Sequence, residues 1–371
     1  MLQEGELFTP AVSARKKERK DIMKELLKIA GIFAALLMII PVPAIFASRE
    51  VKETYTAETV QTETVSETSP PETIPVKYEQ EILEEDILKV LDYTSGQVLD
   101  VPIRDYVIGA VLAEMPATYH PEALKAQAVA ARTYAVRQRE KQRISPDPEL
   151  MGADISNDST KYQAYFTTAQ AKAFYGDGYD TYFQKAADAV DSTDKLILYY
   201  DGEPIVAAFH AISGGRTESA EVIWGSSVDY LVPADSSADK KAPSYPDEKI
   251  FTAKELRTII KKTYPKADLS GSPDKWITIN ETSTSGTVTE VTVGTVKLKG
   301  TEFRTLFSLR SANFTVGYND DSGQFCIATK GYGHGVGMSQ YGANAMAEDG
   351  ADFEEILLHY YKGIEIKAYG D

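Results

Sequence analysis

The sequence predicts a mixed α+β fold preceded by one transmembrane helix, and three observations carry that prediction. Segments with helical spacing alternate with strand-like segments in no regular strand–helix–strand repeat. An alanine-rich stretch over 122–142 has high helix propensity. An uncharged apolar run at 29–47 follows a strongly basic segment. The folded part is expected over 87–371, a core domain with a smaller subdomain inserted at 249–317.

Residues 1–28 are expected to stay in the cytoplasm, because "ARKKERKDIMKELLK" (14–28) holds seven basic residues. The next 19 residues, 29–47, carry no charge and suffice for one membrane crossing at about 1.5 Å per residue. A cleaved signal peptide is the competing reading. Its apolar part would be long, Pro41 and Pro43 interrupt it, and the small-residue pattern near Ala47 is poor. Residues 48–86, rich in Thr and Glu, cannot bury enough apolar surface to offset their ordering entropy. They read as an extended tether that holds the remaining chain outside the cytoplasmic membrane.

Within the folded part, "ILKVLDYTSGQVLDVPI" (87–103) reads as two short strands around a Thr-Ser-Gly turn. Apolar residues at 103, 107, 108, 111 and 112 predict a helix that Pro116 stops. A second helix opens at His120-Pro121-Glu122, with proline at its first position. A polar loop (144–161) leads to a helical stretch near 184–191. "LILYYDGEPIVAAFHA" (196–211) reads as a hairpin turned at Asp201-Gly202. In 249–317, "TAKELRTIIKKTY" and "TEFRTLFSLR" have helical spacing, while "KWITINET" and "TVTEVTVGTVKLK" alternate as strands do. A strand near "QFCIATKG", a glycine-rich stretch and a helix through "FEEILLHYY" close the chain.

Composition narrows function. The 371 residues have a formal net charge of -16, which opposes phosphate backbones and argues against a nucleic-acid partner. The single Cys326 excludes an intrachain disulfide framework. His120, His210, His334 and His359 are scattered, with no His-Glu-x-x-His or Cys-x-x-Cys, so no metal site is expected. "GYGHGVGMSQYGA" (331–343) fits neither the dinucleotide fingerprint nor the Walker pattern, and no cofactor is expected.

Three clusters remain as candidates. Glu114 ends an apolar helix in "AVLAEMP"; it is either an exposed helix-end residue or a buried acid whose pKa desolvation raises. Gln127 and Arg132, on the following helix, are placed to reach it or a bound sugar if the helices fold back at Pro116. His210, Ser213, Gly214, Gly215 and Thr217 form either the wall of a site or a structural hairpin end. A Ser-His hydrolase lacks its Gly-x-Ser-x-Gly elbow there. Tyr332, His334, Gly335, Gln340 and Tyr341 belong to a loop whose glycines allow close ligand approach or merely a turn.

Taken together, "YVIGAVLAEMPATYHPEALKAQAVAARTYA", "HAISGGRTESAEVIWG" and "GYGHGVGMSQYGANAMA" resemble, in that order, the stage II sporulation protein D family and related amidase-enhancer proteins. The resemblance covers roughly 87–371. It implies a peptidoglycan lytic transglycosylase of forespore engulfment that cleaves glycan strands and leaves 1,6-anhydro ends. The family's catalytic glutamate falls on Glu114 and its functional arginine on Arg132. The glycine clusters would line the glycan groove. Some members bind zinc through Cys and His in the loop after the alanine-rich helix. Here that loop, "MGADISNDSTKYQAYF" (151–166), has neither, so no zinc site is carried over. Implied partners are glycan strands and stage II sporulation proteins P and M. A non-catalytic glycan-binding enhancer of an amidase, and a hydrolase with a second acid, are the rival readings.

Overall fold

In the computed structural model, strand β1 (Ile87–Asp92) turns through residues 93–96 into an antiparallel β2 (Gln97–Pro102). The Asp92 carboxylate ties the turn by accepting from the Ser95 hydroxyl at 2.6 Å. The structure describes residues 87–370 except residue 244. The basic segment, the apolar run at 29–47 and the acidic linker lie outside the described residues. No helix among the described residues is long and apolar enough to cross a membrane.

Helix α1 (Ile103–Glu114) buries every residue from Tyr106 to Ala113, so it lies inside the core rather than on its surface. It stops where Pro116 requires, with Met115 extended at φ -122°, ψ 137°. Helix α2 (Pro121–Ile144) opens on His120, whose ring accepts from the Glu122 N–H, and its alanines let neighbouring helices approach closely. A two-residue strand β3 (Ile155–Ser156) joins the other side of β1 in parallel. Two helices then follow, α3 (Thr168–Tyr175) and α4 (Tyr179–Ser192). The expected helix near 184–191 is the second half of α4. The start of α3 is marked by the reciprocal Thr167–Gln170 cap, a local sequence signal that was overlooked.

β4 (Leu196–Tyr200) and β5 (Glu203–Pro204) form the expected hairpin, with Asp201 at φ 50° and Gly202 at φ 81°. The hairpin is shorter than 196–211. The chain leaves it after Pro204, and β6 (Phe209–His210) pairs elsewhere. After α5 (Ala220–Trp224) come β7 (Asp247–Thr252), α6 (Ala253–Thr263), β8 (Ile277–Thr282), β9 (Val288–Val293), β10 (Val296–Lys299) and α7 (Gly300–Leu306). Next are β11 (Phe314–Asn319), β12 (Gln324–Thr329), β13 (Met338–Ser339), α8 (Gln340–Glu348), α9 (Phe353–Tyr360) and β14 (Glu365–Ala368).

The class is mixed α and β, with several small sheets in place of one large one. Their strand orders are β2-β1-β3, β14-β4-β5, β13-β6, β11-β12-β7 and β10-β9-β8. Two large apolar cores form among the described residues, beside a small cluster of Leu91, Leu150 and Ala153. One draws on α1, α2, α4, α8 and α9. The other lies wholly within residues 256–327, where Phe303 stacks on Phe314 at 4.6 Å and Trp276 on Phe325 at 6.1 Å.

Candidate functional site

Because α1 is buried all round, its last side chain has little water to turn to. Glu114 is half-buried by accessible area, yet its carboxyl is crowded by protein, and the crowding governs its ionisation. Burial lifts its pKa from the ordinary 4.5 to about 7, opposed by one hydrogen bond from the Ala164 N–H to Oε1 at 2.8 Å. No neighbouring charge contributes to that shift.

The segment that supplies this N–H is seated by a glycine. Gly109 lies mid-helix, and a Cβ there would come within 2.4 Å of the Phe166 carbonyl and 2.5 Å of the Tyr165 ring. Its absence lets Phe166 N–H bond the Gly109 carbonyl at 3.1 Å while Tyr165 stacks on Tyr106 at 5.0 Å. The stretch 163–166 is thereby laid across α1 with Ala164 over Glu114. The Tyr106 hydroxyl and both ends of the Gln163 amide are buried with no hydrogen-bond partner among the described residues.

The second and third clusters are woven into one another. β6 pairs in parallel with β13, setting His210 opposite Ser339, and Ile212 and Tyr332 exchange backbone hydrogen bonds of 3.1 and 2.6 Å. Gly337, at φ 73°, would place a Cβ 2.0 Å from the Ala208 carbonyl, so only glycine permits this approach. His210 donates from Nδ1 to the Val336 carbonyl at 3.1 Å, and its buried Nε2 has no partner among the described residues. His334 accepts from the Val336 N–H at 3.0 Å, and the two rings lie 5.7 Å apart. Burial pushes His210 down to about 3 and His334 to about 4, so both are neutral at physiological pH.

Beneath them sits a residue that sequence reasoning missed. Asp239 is fully buried, and its Oδ2 accepts from the Ser213 N–H (2.7 Å), the Ser236 hydroxyl (3.0 Å) and the Ser339 hydroxyl (2.8 Å). It fastens both loops at once. Burial raises its pKa, and the donors pull the other way. Its surroundings, "SSADKK", read as an ordinary exposed loop and offered no signal. Glu218 was missed likewise; it is buried, accepts from the Ser219 N–H at 2.9 Å and is held by the Ser283 hydroxyl.

Several expectations about individual residues are corrected or located here. Ser213 is buried, and its Oγ accepts from the Gly215 N–H at 3.0 Å, with Asp239 rather than a histidine as its other partner. A Ser-His nucleophile is thereby set aside. Thr217 is buried and accepts from the Ala234 N–H at 2.8 Å, while the Gly214 carbonyl accepts from the Tyr245 hydroxyl at 2.8 Å. Gly335 accepts from the Glu218 N–H, and the Tyr341 N–H donates to the Ala211 carbonyl. Gln127 does not turn to Glu114; its oxygen accepts from Gln340 at 3.3 Å, which links α2 to α8. Arg132 is buried and caps the C-terminal end of α4, donating to the Thr193 carbonyl at 2.5 Å and the Val190 carbonyl at 3.1 Å. The structure thus joins the two glycine clusters, with Gln127 beside them, and directs Arg132 to a helix end. No group of three or more His, Cys, Asp or Glu among the described residues converges as a metal site.

Comparison with known proteins adds one family match and three relatives. Residues 92–200, which include Glu114, Gln127 and Arg132 but end before His210, match a family model described as Stage II sporulation protein. The chain is 37% identical to stage II sporulation protein D of Bacillus subtilis (strain 168), over 93% of this chain and 96% of that protein. It is 37% identical to the Bacillus amyloliquefaciens protein of the same name, over 78% of this chain and 82% of that one. Similarity also extends to an amidase enhancer of Bacillus subtilis (strain 168), 29% identical over 70% of this chain and 40% of that protein.

Proposed function

The chain belongs to the stage II sporulation protein D family, and from that premise we propose that it is a peptidoglycan lytic transglycosylase with Glu114 as its single general acid and base. The observation that carries this is the state of the Glu114 carboxyl: lifted by burial to about 7 and steered by one N–H, with no neighbouring charge involved. Near neutral pH such a group is poised to give a proton and take one back. Ordinary glycosidases divide that work between two carboxylates.

With Oε1 engaged by Ala164, Oε2 is the atom left to act. Its proton passes to the glycosidic oxygen as the bond from that oxygen to the anomeric carbon breaks. The carboxylate then takes the proton of the same sugar's 6-hydroxyl, whose oxygen bonds to the anomeric carbon. The acid is regenerated, no water is consumed, and a 1,6-anhydro end remains. The joined loops, built on the buried His210, Ser213 and Gln340, serve as glycan-contacting surface through their partly exposed residues Tyr332, His334, Gly335 and Tyr341. The apolar run at 29–47 anchors the chain, with the catalytic part facing the wall during forespore engulfment. Stage II sporulation proteins P and M are the proposed partners, and 249–317 their docking subdomain.

The relation to an amidase enhancer supports a second reading, a glycan-binding activator without chemistry of its own. Mass analysis of glycan strands digested with the purified full-length chain and its Glu114→Gln variant separates the readings. Anhydro-muramic ends that vanish in the variant are expected. Reducing ends would mean a hydrolase with a second acid, and intact strands with the unaltered protein would leave only the enhancer.

A further inference from the structure

Between β3 and α3 the chain runs through residues 157–167 without joining a helix or a strand. Both ends of this run are fastened. The Asn157 side chain accepts from the Tyr93 N–H at 2.8 Å and donates to Asp92 at 3.1 Å, while the Thr167–Gln170 cap fixes the start of α3. Within it the Asp158 carbonyl closes a turn, accepting from the Lys161 and Tyr162 N–H groups at 3.1 and 3.0 Å. Opening that turn would release chain length to the residues that follow.

Those residues, 163–166, lie over α1 on few bonds. The Ala164 N–H reaches Glu114, the Phe166 N–H reaches the Gly109 carbonyl, the Gln163 N–H reaches the Tyr134 hydroxyl, and the Tyr165 ring stacks on Tyr106. Against these ties stand three buried polar atoms, the Tyr106 hydroxyl and both ends of the Gln163 amide, with no hydrogen-bond partner among the described residues. Each loses its bonds to water when the segment seats and gains none in return, which weakens the seated state. Lifting the segment returns the Gln163 amide to water. It also uncovers Glu114, whose carboxyl then loses the burial that holds it above its ordinary value. Seating makes the acid, and lifting gives access to it.

We propose that residues 163–166 are a lid over Glu114, which lifts to admit a substrate strand and reseats to hold the carboxyl ready for proton transfer. That the admitted strand is a glycan rests on the glycan-cleaving reading; the motion itself does not. Lids are drawn from the parts of a fold with low local stability, and unsatisfied buried groups in a run outside helices and strands mark such a part here.

Residue-resolved amide hydrogen exchange on the full-length chain tests it. The Ala164 and Phe166 amides should exchange at least about tenfold faster than those of Val111 and Leu112 inside α1, which open only with the core. Gln163→Met, unbranched and of similar length but without the unpaired amide, should slow both about tenfold and leave the Gly96 amide of the β1–β2 turn unchanged. Tyr165→Ala, which removes the ring stack and keeps the amide, should speed both. Cleavage of peptide-free wall glycan strands should slow in Gln163→Met by a similar factor. Exchange at Ala164 and Phe166 as slow as at Val111, or unaltered by Gln163→Met, overturns the lid. Slowed exchange with unslowed cleavage overturns its part in admitting the strand. A chain whose lid opens as expected yet yields no anhydro ends keeps the lid and removes the enzymatic reading; anhydro ends from a chain whose two amides open only with the core do the opposite.

Discussion

Replacing Glu114 with glutamine should make the protein more stable at alkaline pH and leave it unchanged in acid. In the unfolded chain this carboxyl titrates near 4.5, and in the folded chain near 7, because burial disfavours its charge. Between those values the folded state binds more protons than the unfolded one, so stability falls as pH rises from about 4.5 to about 7. The gap corresponds to about 3 kcal/mol withheld from the fold above pH 7. Glutamine keeps an oxygen for the Ala164 N–H and never ionises, so it removes that penalty without removing the contact. Urea unfolding of both chains at about pH 4.5 and about pH 8 measures the difference. The variant should gain up to about 3 kcal/mol at the higher pH and close to none at the lower. An equal effect at both would refute the premise that Glu114 is held against its preferred charge. A stabilised but inactive variant is the expected signature of a residue kept for chemistry.

Gly109→Ala should shift the 163–166 segment and withdraw the Ala164 N–H, raising the Glu114 pKa further above its ordinary value; NMR titration of labelled glutamate, or the pH optimum of glycan cleavage, reads it. Arg132→Ala should lower stability by about 2–4 kcal/mol, since it strips buried carbonyls at the end of α4 of their donor. A fully stable Arg132→Ala that loses only activity would mean a direct part in the reaction. Asp239→Asn should be tolerated far better than Asp239→Ala, because the three donors all meet Oδ2, which an amide oxygen can replace. Thermal unfolding of the two variants decides it.

What the sequence by itself determined lies mostly in local free energies. Proline at 116 and 121, the spacing of apolar residues along 103–112 and the alanines of α2 set where two helices begin and end, because each acts on its own neighbours. Asp201-Gly202 likewise dictated a tight hairpin. The order of three separated motifs singled out Glu114, though its residues alone left it between surface and core. Tertiary structure decided the rest. Burial of α1 on every side from Tyr106 to Ala113, and a loop admitted by Gly109, give the carboxyl its raised pKa. The parallel pairing of β6 with β13 joins stretches far apart in the chain, so no periodicity could announce it. Asp239 looks solvated in sequence and becomes the buried tie between both loops once three donors from other segments close around it. Arg132 was assigned by position to the site, yet the carbonyls it satisfies belong to a helix that reaches it only after folding. Local preference needs only adjacent residues, whereas burial and partnership depend on which distant surfaces the whole core brings together.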